Sequence, residues 1–314
     1  MDQPITIKYA EYRQIRSDVR DSSIEILDRA VKWFVKLFGD LDVSVITYSH
    51  IDDYKKWLSN GRSRSSANCY LGMLKSFFSW LARRRYIVSS PFEGITLYKV
   101  VQKKYAIYTP DEIKRIYSVS DDLWTLIISL ALCGMRISEI LNLCVKDIDF
   151  ENNRIKITPK KDTAETWRWD IKDYHEAYVG LDESLTRILI ARCEKLEKMP
   201  YVNLKPKYWL RNIRKRDEGC LRQRQRNNPW GNFNRDFKFL LRRAIVETKR
   251  FHDLRGTFAT ERYKKGYDLK ELQYLLRHSS IQTTAIYVRN IDEQRLVARS
   301  GDTFAEYYAT FLVP

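Results

Sequence analysis

Residues 252–287 bring two histidines, an arginine and a tyrosine into one ordered run. They are His252-Asp253-Leu254-Arg255, then Leu276-Arg277-His278-Ser279-Ser280, then Tyr287. Arginine grips anionic phosphate, histidine moves protons, and a tyrosine hydroxyl can act as a nucleophile. Two of the chain's four histidines fall in this run, so the clustering is not a matter of abundance. Tyr287 is one of 20 tyrosines and stands out by its company. Farther upstream, Gly134-Met135-Arg136-Ile137-Ser138-Glu139 breaks an apolar helix and places Arg136 at a helix junction. Ser138 is expected to cap the helix that follows. Two adjacent lysines, Lys160 and Lys161, lie in a polar loop between strand-like segments.

These residues need elements to hold them, and the composition supports a folded chain. With 314 residues, 44% hydrophobic and 13% aromatic, it can bury two cores rather than one. No apolar run approaches the ~18 residues of a membrane span. The start, Met1-Asp2-Gln3-Pro4, lacks a signal region, so a cytoplasmic, nucleoid-associated location is expected. Five scattered cysteines without a C-x-x-C pair suggest neither a disulfide framework nor a zinc site. The formal charge of +16 points to a polyanionic partner, nucleic acid before membrane.

Residues 1–20 are expected to be a short, loosely structured lead. Ser22-Ser23-Ile24-Glu25 has the form of a capping box, and Leu27, Val31, Phe34 and Phe38 follow at helical spacing up to Gly39. A second helix is expected over Ser49–Ser59, with Ile51, Tyr54 and Leu58 inward. A third is expected from about Ser65 to Arg85, with Tyr70, Leu74, Phe77 and Leu81 inward. An extended basic strip ends in Lys103-Lys104, and Thr109-Pro110-Asp111-Glu112 then opens a new helix. Residues 147–150 and 154–158 have the pattern of strand, turn, strand, and Trp167–Ile171 alternates like a third strand. Residues 199–230 are irregular and basic, with interleaved aromatics.

The ordered set of Arg136, a loop lysine, His252-x-x-Arg255, Leu276-x-His278 and Tyr287 resembles the tyrosine recombinase (phage integrase) family. The spacings are 3, 23 and 9 residues from His252 to Arg255 to His278 to Tyr287. His252-Asp253-Leu254-Arg255-Gly256-Thr257-Phe258-Ala259-Thr260 is similar to the family's H-D-L-R-x-T-f-A-T box. Each residue alone has a structural explanation, but the set in register does not. The resemblance implies a mainly α protein with a small antiparallel β-sheet. A helical core-binding (SAM-like) domain and a mixed α/β catalytic domain would form a C-shaped clamp on DNA. The expected layout is a lead to residue 20, a core-binding domain over 21–95, a linker over 96–107, a catalytic domain over 108–288 and a tail over 289–314.

The resemblance also implies roles. Tyr287 would attack the scissile phosphodiester and form a 3′-phosphotyrosyl link, with no metal, cofactor or ATP. Arg136 and Arg255 would hold the non-bridging oxygens, His252 would assist proton transfer, and His278 would hydrogen-bond the phosphate. Lys161, or alternatively Lys160, would protonate the leaving 5′-oxygen, and Glu139 would support the site. Where the family has a frequent glycine, this chain has Arg277. Double-stranded DNA with specific sites is the expected partner, and a homotetramer the expected synaptic assembly of a chain that is monomeric or weakly associated when free. The expected DNA contacts are Arg62, Arg64, Arg83, Arg84, Lys103, Lys104, Arg211, Arg214, Lys215, Arg222 and Arg224. The apolar tail over 304–312 is expected to dock, in cis or on a neighbouring protomer. With so short a lead, a simple recombinase is expected rather than an integrase with an arm-binding domain. The rival readings are a type IB-like topoisomerase, a hairpin-forming resolvase, or a non-catalytic DNA-binding protein.

Overall fold

The computed structural model describes residues 3–16, 21–100, 105–161, 163, 165–166, 168–171, 176–196, 200–203, 229–288 and 291. The chain divides into two compact units, Met1–Lys103 and Lys104–Pro314. The described elements are mostly helical, with one three-stranded antiparallel sheet.

The first unit packs four helices, α1 (Ile5–Ile15), α2 (Asp21–Phe38), α3 (Tyr48–Ser59) and α4 (Arg64–Arg83). The expected stripes bury Leu27, Val31 and Phe34 on α2, Ile51, Tyr54 and Leu58 on α3, and Leu74, Phe77 and Leu81 on α4. Tyr70 is only half-buried and packs its ring edge on Trp33 at 4.8 Å. Helix α2 ends where Gly39 takes φ +84°, a conformation open to glycine at little cost.

Residues 5–15, expected to belong to a loose lead, instead form helix α1 and complete this core. Ile5 and Tyr12 are buried, and Tyr12 packs on Phe77 and Trp80 at 5.4 and 5.2 Å. Backbone bonds Ile5 N→Leu41 O (2.9 Å) and Val43 N→Gln3 O (3.0 Å) fasten the segment. The stripe Ile5, Tyr9, Tyr12 has helical spacing, but its tyrosines and intervening polar residues mask it until Phe77 supplies a partner.

The second unit begins at α5 (Pro110–Ser118). Its Thr109–Glu112 capping box and first-turn proline are as expected. There follow α6 (Asp122–Leu132), α7 (Ile137–Leu141), the strands β1 (Ile148–Asp149), β2 (Arg154–Ile157) and β3 (Ala177–Gly180), and α8 (Glu183–Glu194). The unit closes with α9 (Pro229–Arg243), α10 (His252–Lys264), α11 (Leu269–Leu276) and helical backbone over 281–288. Strands pair Ile148↔Ile155, Ile155↔Val179 and Ile157↔Ala177. This register puts Ile155, Ile157 and Val179 into the core with α6 and α9 residues such as Leu126 and Phe237.

The segment expected as the third strand is not β3. Trp169 pairs with Lys160 alone, through Lys160 N→Trp169 O at 2.9 Å and the reciprocal bond at 3.0 Å. The edge of β2 is already occupied by Ala177–Gly180, so the 168–171 segment pairs only beyond the end of β2. Trp167 lies outside the described residues.

Several helices end in a Schellman motif, which seats one residue in the left-handed region. After α9, Val246 N bonds Leu241 O (3.0 Å), Ile245 N bonds Arg242 O (3.1 Å), and Ile245 has φ 54°. Its side chain is 82% exposed and its β-branch is strained there. Ile245→Gly should therefore stabilise the fold by about 0.5–1 kcal/mol and raise the urea unfolding midpoint accordingly, because relief of the left-handed cost of ~1–2 kcal/mol exceeds the added chain entropy. A lower midpoint would contradict this.

Candidate functional site

The five residues Arg136, His252, Arg255, His278 and Tyr287 come together in the second unit. Gly134 makes this possible upstream. It ends α6 at φ +81°, and a Cβ there would come within 2.8 Å of the Phe258 ring. The chain then turns into α7 with Arg136 at its start. Arg136 N donates to Glu139 Oε2 (2.7 Å), so Glu139 caps α7. Ser138, expected as the cap, lies inside α7 instead, and its carbonyl accepts from Asn142.

Helix α10 supplies His252 and Arg255. Asp253 is 2% exposed, and its carboxylate accepts from Arg250 N (2.8 Å) and Arg250 Nη2 (2.8 Å) at the helix start. Arg255, three residues after His252, is 1% exposed. Its Nη1 donates to Gly134 O and its Nη2 to Leu276 O. Nη2 also lies 3.1 Å from His278 Nε2, and Nε is buried with no hydrogen-bond partner among the described residues. A guanidinium cannot accept, so His278 Nε2 accepts in this pair and its Nδ1–H points to Thr284 Oγ1, 2.9 Å away. Burial and the like charges of Arg136 and Arg277 pull the Arg255 pKa below its ordinary value. A guanidinium nevertheless keeps its proton at neutral pH.

Tyr287 is 7% exposed. Its hydroxyl lies 3.1 Å from His252 Nε2, and its ring stacks near His278 at a centroid distance of 6.0 Å. Thr260 Oγ1 donates to its carbonyl at 3.3 Å. The edge of Tyr105 meets the Tyr287 ring at 4.6 Å and 79°. Gly256 admits Tyr105, since a Cβ at 256 would overlap its ring. Burial, with Tyr287 beside it, holds the Tyr105 phenol above its ordinary pKa and therefore neutral. Desolvation, then Arg255 and Arg250, push the His252 pKa down to about 4. His252 keeps solvent access, so the like-charged neighbours are the firmer of these causes. At neutral pH it is a neutral imidazole able to accept the tyrosine proton.

Glu139 is 3% exposed and sits among three guanidiniums. Arg136 Nη1 donates to Oε1 at 2.8 Å, and Arg277 Nη2 donates to Oε2 at 2.6 Å. Burial disfavours its charge, but Arg277, Arg136 and Arg255 hold its pKa below the ordinary value.

The two lysines separate. Lys160 is 4% exposed, and its Nζ donates to Asp147 Oδ1 (2.6 Å), Thr158 O (3.1 Å) and Thr158 Oγ1 (2.8 Å). All three ammonium hydrogens are engaged, so Lys160 is a core ion-pair residue. Lys161 is exposed on the loop, where its carbonyl accepts from Thr166 Oγ1 at 2.8 Å.

In the first unit, Arg64, Arg83 and Arg84 are exposed. Arg62 stacks between Trp33 and Trp57 at 4.2 and 4.6 Å, a pair of cation–π contacts that fixes its guanidinium. Lys103, Lys104, Arg211, Arg214, Lys215, Arg222, Arg224 and the 304–312 tail lie outside the described residues. Tyr105 and Thr284 escaped the sequence reading, because one stands in an aperiodic basic stretch and the other in a short polar run.

The fold and site define a DNA-strand-exchange architecture, and comparisons with known proteins agree. Residues 107–294 match the phage integrase family. A tyrosine recombinase of Pseudothermotoga lettingae is 26% identical over 267 residues, covering 83% of this chain and 84% of its own length. The Tn1549 transposon integrase, solved with a circular intermediate DNA, superposes with a TM-score of 0.70 at 19% identity, covering 91% of this chain and 95% of that one. A lambda integrase dimer bound to a COC′ core site gives 0.65 at 15% identity, with the same coverages. The chain belongs to the phage integrase family and is a tyrosine site-specific recombinase.

The low His252 pKa makes stability pH-dependent. An unfolded histidine takes up its proton near 6.5, whereas the folded one resists until about 4. Between these values the unfolded chain binds more protons, so stability falls as pH drops through this window. The melting temperature of His252→Gln should be less sensitive to pH from 6.5 to 4 than that of the wild type. An equal slope for both would show that His252 is not so shifted.

Proposed function

We propose that this protein cuts and rejoins duplex DNA at specific sites through Tyr287. The observation that carries this reading is the Tyr287 hydroxyl placed 3.1 Å from a neutral His252, beside the Arg255–His278 pair. In the proposed step, Tyr287 Oη attacks the scissile phosphorus and its proton passes to His252. The bond to the 5′-oxygen breaks, and Lys161 donates the proton that makes a free 5′-hydroxyl. Arg136 and Arg255 hold the non-bridging oxygens, whose charge grows in the pentavalent transition state, and His278 joins them in its other tautomer, with Nε2–H toward the phosphate and Nδ1 accepting from Thr284 Oγ1. The 3′-phosphotyrosyl ester conserves the energy of the phosphodiester. A 5′-hydroxyl from the partner strand can therefore attack it, free Tyr287 and return the protons without ATP.

The net charge of +16 supports a DNA partner. Arg62, Arg64, Arg83 and Arg84 are proposed phosphate contacts of the first unit, and Lys103, Lys104 and the basic residues between 211 and 224 those of the second. Two duplexes cut in coordinated pairs require four protomers, so a tetramer on DNA from a weakly associated free chain is proposed. The working location is the nucleoid. Among the described residues no helix is long and apolar enough to cross a membrane.

A randomised library of nicked duplexes should yield sequences covalently captured by the wild-type protein on denaturing gels. Tyr287→Phe should capture none while binding the selected duplex about as tightly. Capture by that variant would assign the nucleophile elsewhere, and relaxation of supercoiled plasmid irrespective of sequence would indicate a topoisomerase.

Lys161→Ala should slow cleavage of the selected duplex by about 10²–10⁴-fold. Sulfur in place of the bridging 5′-oxygen should restore the rate, because a thiolate leaves without a proton. A rate unaffected by the alanine, or no rescue by sulfur, would remove Lys161 from the role.

A further inference from the structure

Arg277 occupies the left-handed position of the Schellman motif that ends α11, with φ 53°. Arg277 N bonds Tyr274 O (2.9 Å) and His278 N bonds Gln273 O (3.0 Å). Ile245 holds the same position after α9, yet sends its side chain into solvent. The Arg277 side chain turns inward and is only 10% exposed. Its Nη2 donates to Glu139 Oε2 (2.6 Å) and Gly134 O (2.9 Å), and its Nη1 to Leu275 O (3.0 Å). Its carbonyl accepts from Arg136 Nη2 at 2.7 Å.

Arg136 is therefore held at both terminal nitrogens, by Glu139 Oε1 on one side and the Arg277 carbonyl on the other. Glu139 Oε2 is in turn shared between Arg136 N and Arg277 Nη2. Without the Arg277 side chain, a buried carboxylate would keep Arg136 as its one hydrogen-bonded guanidinium. An under-compensated buried charge draws its remaining partner toward itself. Arg136 would then be pulled from the orientation in which it can also meet a phosphate.

We propose that Arg277 is a positioning residue of the phosphate pocket, fixing Glu139 and through it the guanidinium of Arg136, so that loss of its side chain slows strand cleavage more than it weakens DNA binding. This rests on the function proposed above. Charge favours the same division. Arg136, Arg255 and Arg277 against Glu139 leave two positive charges in excess. A phosphodiester carries one negative charge and its pentavalent transition state two, so the surplus matches the transition state better than the ground state. Binding is spread over many phosphate contacts and depends little on one buried arginine.

The test uses the duplex captured by the wild-type protein and measures single-turnover cleavage at saturating protein alongside affinity. Arg277→Gly keeps the backbone conformation comfortable and should cleave about 10–100-fold more slowly, with affinity within about threefold. Arg277→Lys keeps the charge and should fall between glycine variant and wild type. If Arg277→Gly melts below the assay temperature, Arg277→Asn, which also tolerates the left-handed region, serves with the same expectations. A wild-type rate in the glycine variant overturns the proposal. So does a parallel loss of rate and affinity without recovery in Arg277→Lys. Absence of any Tyr287-dependent adduct in the wild type would instead refute the function on which it rests.

Discussion

One buried guanidinium joins the parts of the site. Arg255 reaches from α10 to the carbonyl of Gly134, at the end of α6, and to the carbonyl of Leu276, at the end of α11. Carbonyls at helix ends have no partner within their own helix, so they are natural acceptors for a cation. Three chain segments far apart in sequence are thereby fixed around one charge. His278 follows directly from this arrangement, because the residue after the α11 cap falls within 3.1 Å of Arg255. Tyr287 then stacks near His278 and reaches His252 on the first turn of α10.

Burying that much positive charge has a physical cost, and Glu139 offsets it. Desolvation alone disfavours every ion in the cluster. The carboxylate between Arg136 and Arg277, together with the backbone carbonyls, keeps the guanidiniums hydrogen-bonded inside the protein. The remaining positive surplus suits the pocket to the phosphate that the proposed function places there. The same field helps keep His252 neutral, which suits the proton-accepting role proposed for it.

Local signals carried much of the helical framework. The stripes on α2, α3 and α4 and the Thr109–Glu112 box are short-range patterns, and they lie where their spacing indicates. Helix α1 was not legible, because its two buried anchors are stabilised by Phe77 and Trp80 on another helix. The alternation of 168–171 indicated extended backbone, but strand membership is settled by which edge is free, and Ala177–Gly180 holds that edge. The arginine box at 134–139 was visible, whereas the cap of its helix is Glu139 rather than Ser138.

The sequence by itself carried the family resemblance, through Arg136, His252, Arg255, His278 and Tyr287 in their order and spacing. It also determined the basic character of the chain and most of its helices, because those follow from residue type and short-range periodicity. Only the tertiary structure decided that Lys160 is spent on Asp147, that Tyr105 packs on Tyr287, and that Arg277 pairs with Glu139. The reason is distance along the chain. Arg277 and Glu139 are 138 residues apart, and Tyr287 lies still farther from Tyr105. No local pattern encodes such a pairing, and it exists only once Arg255 has drawn the helix ends together.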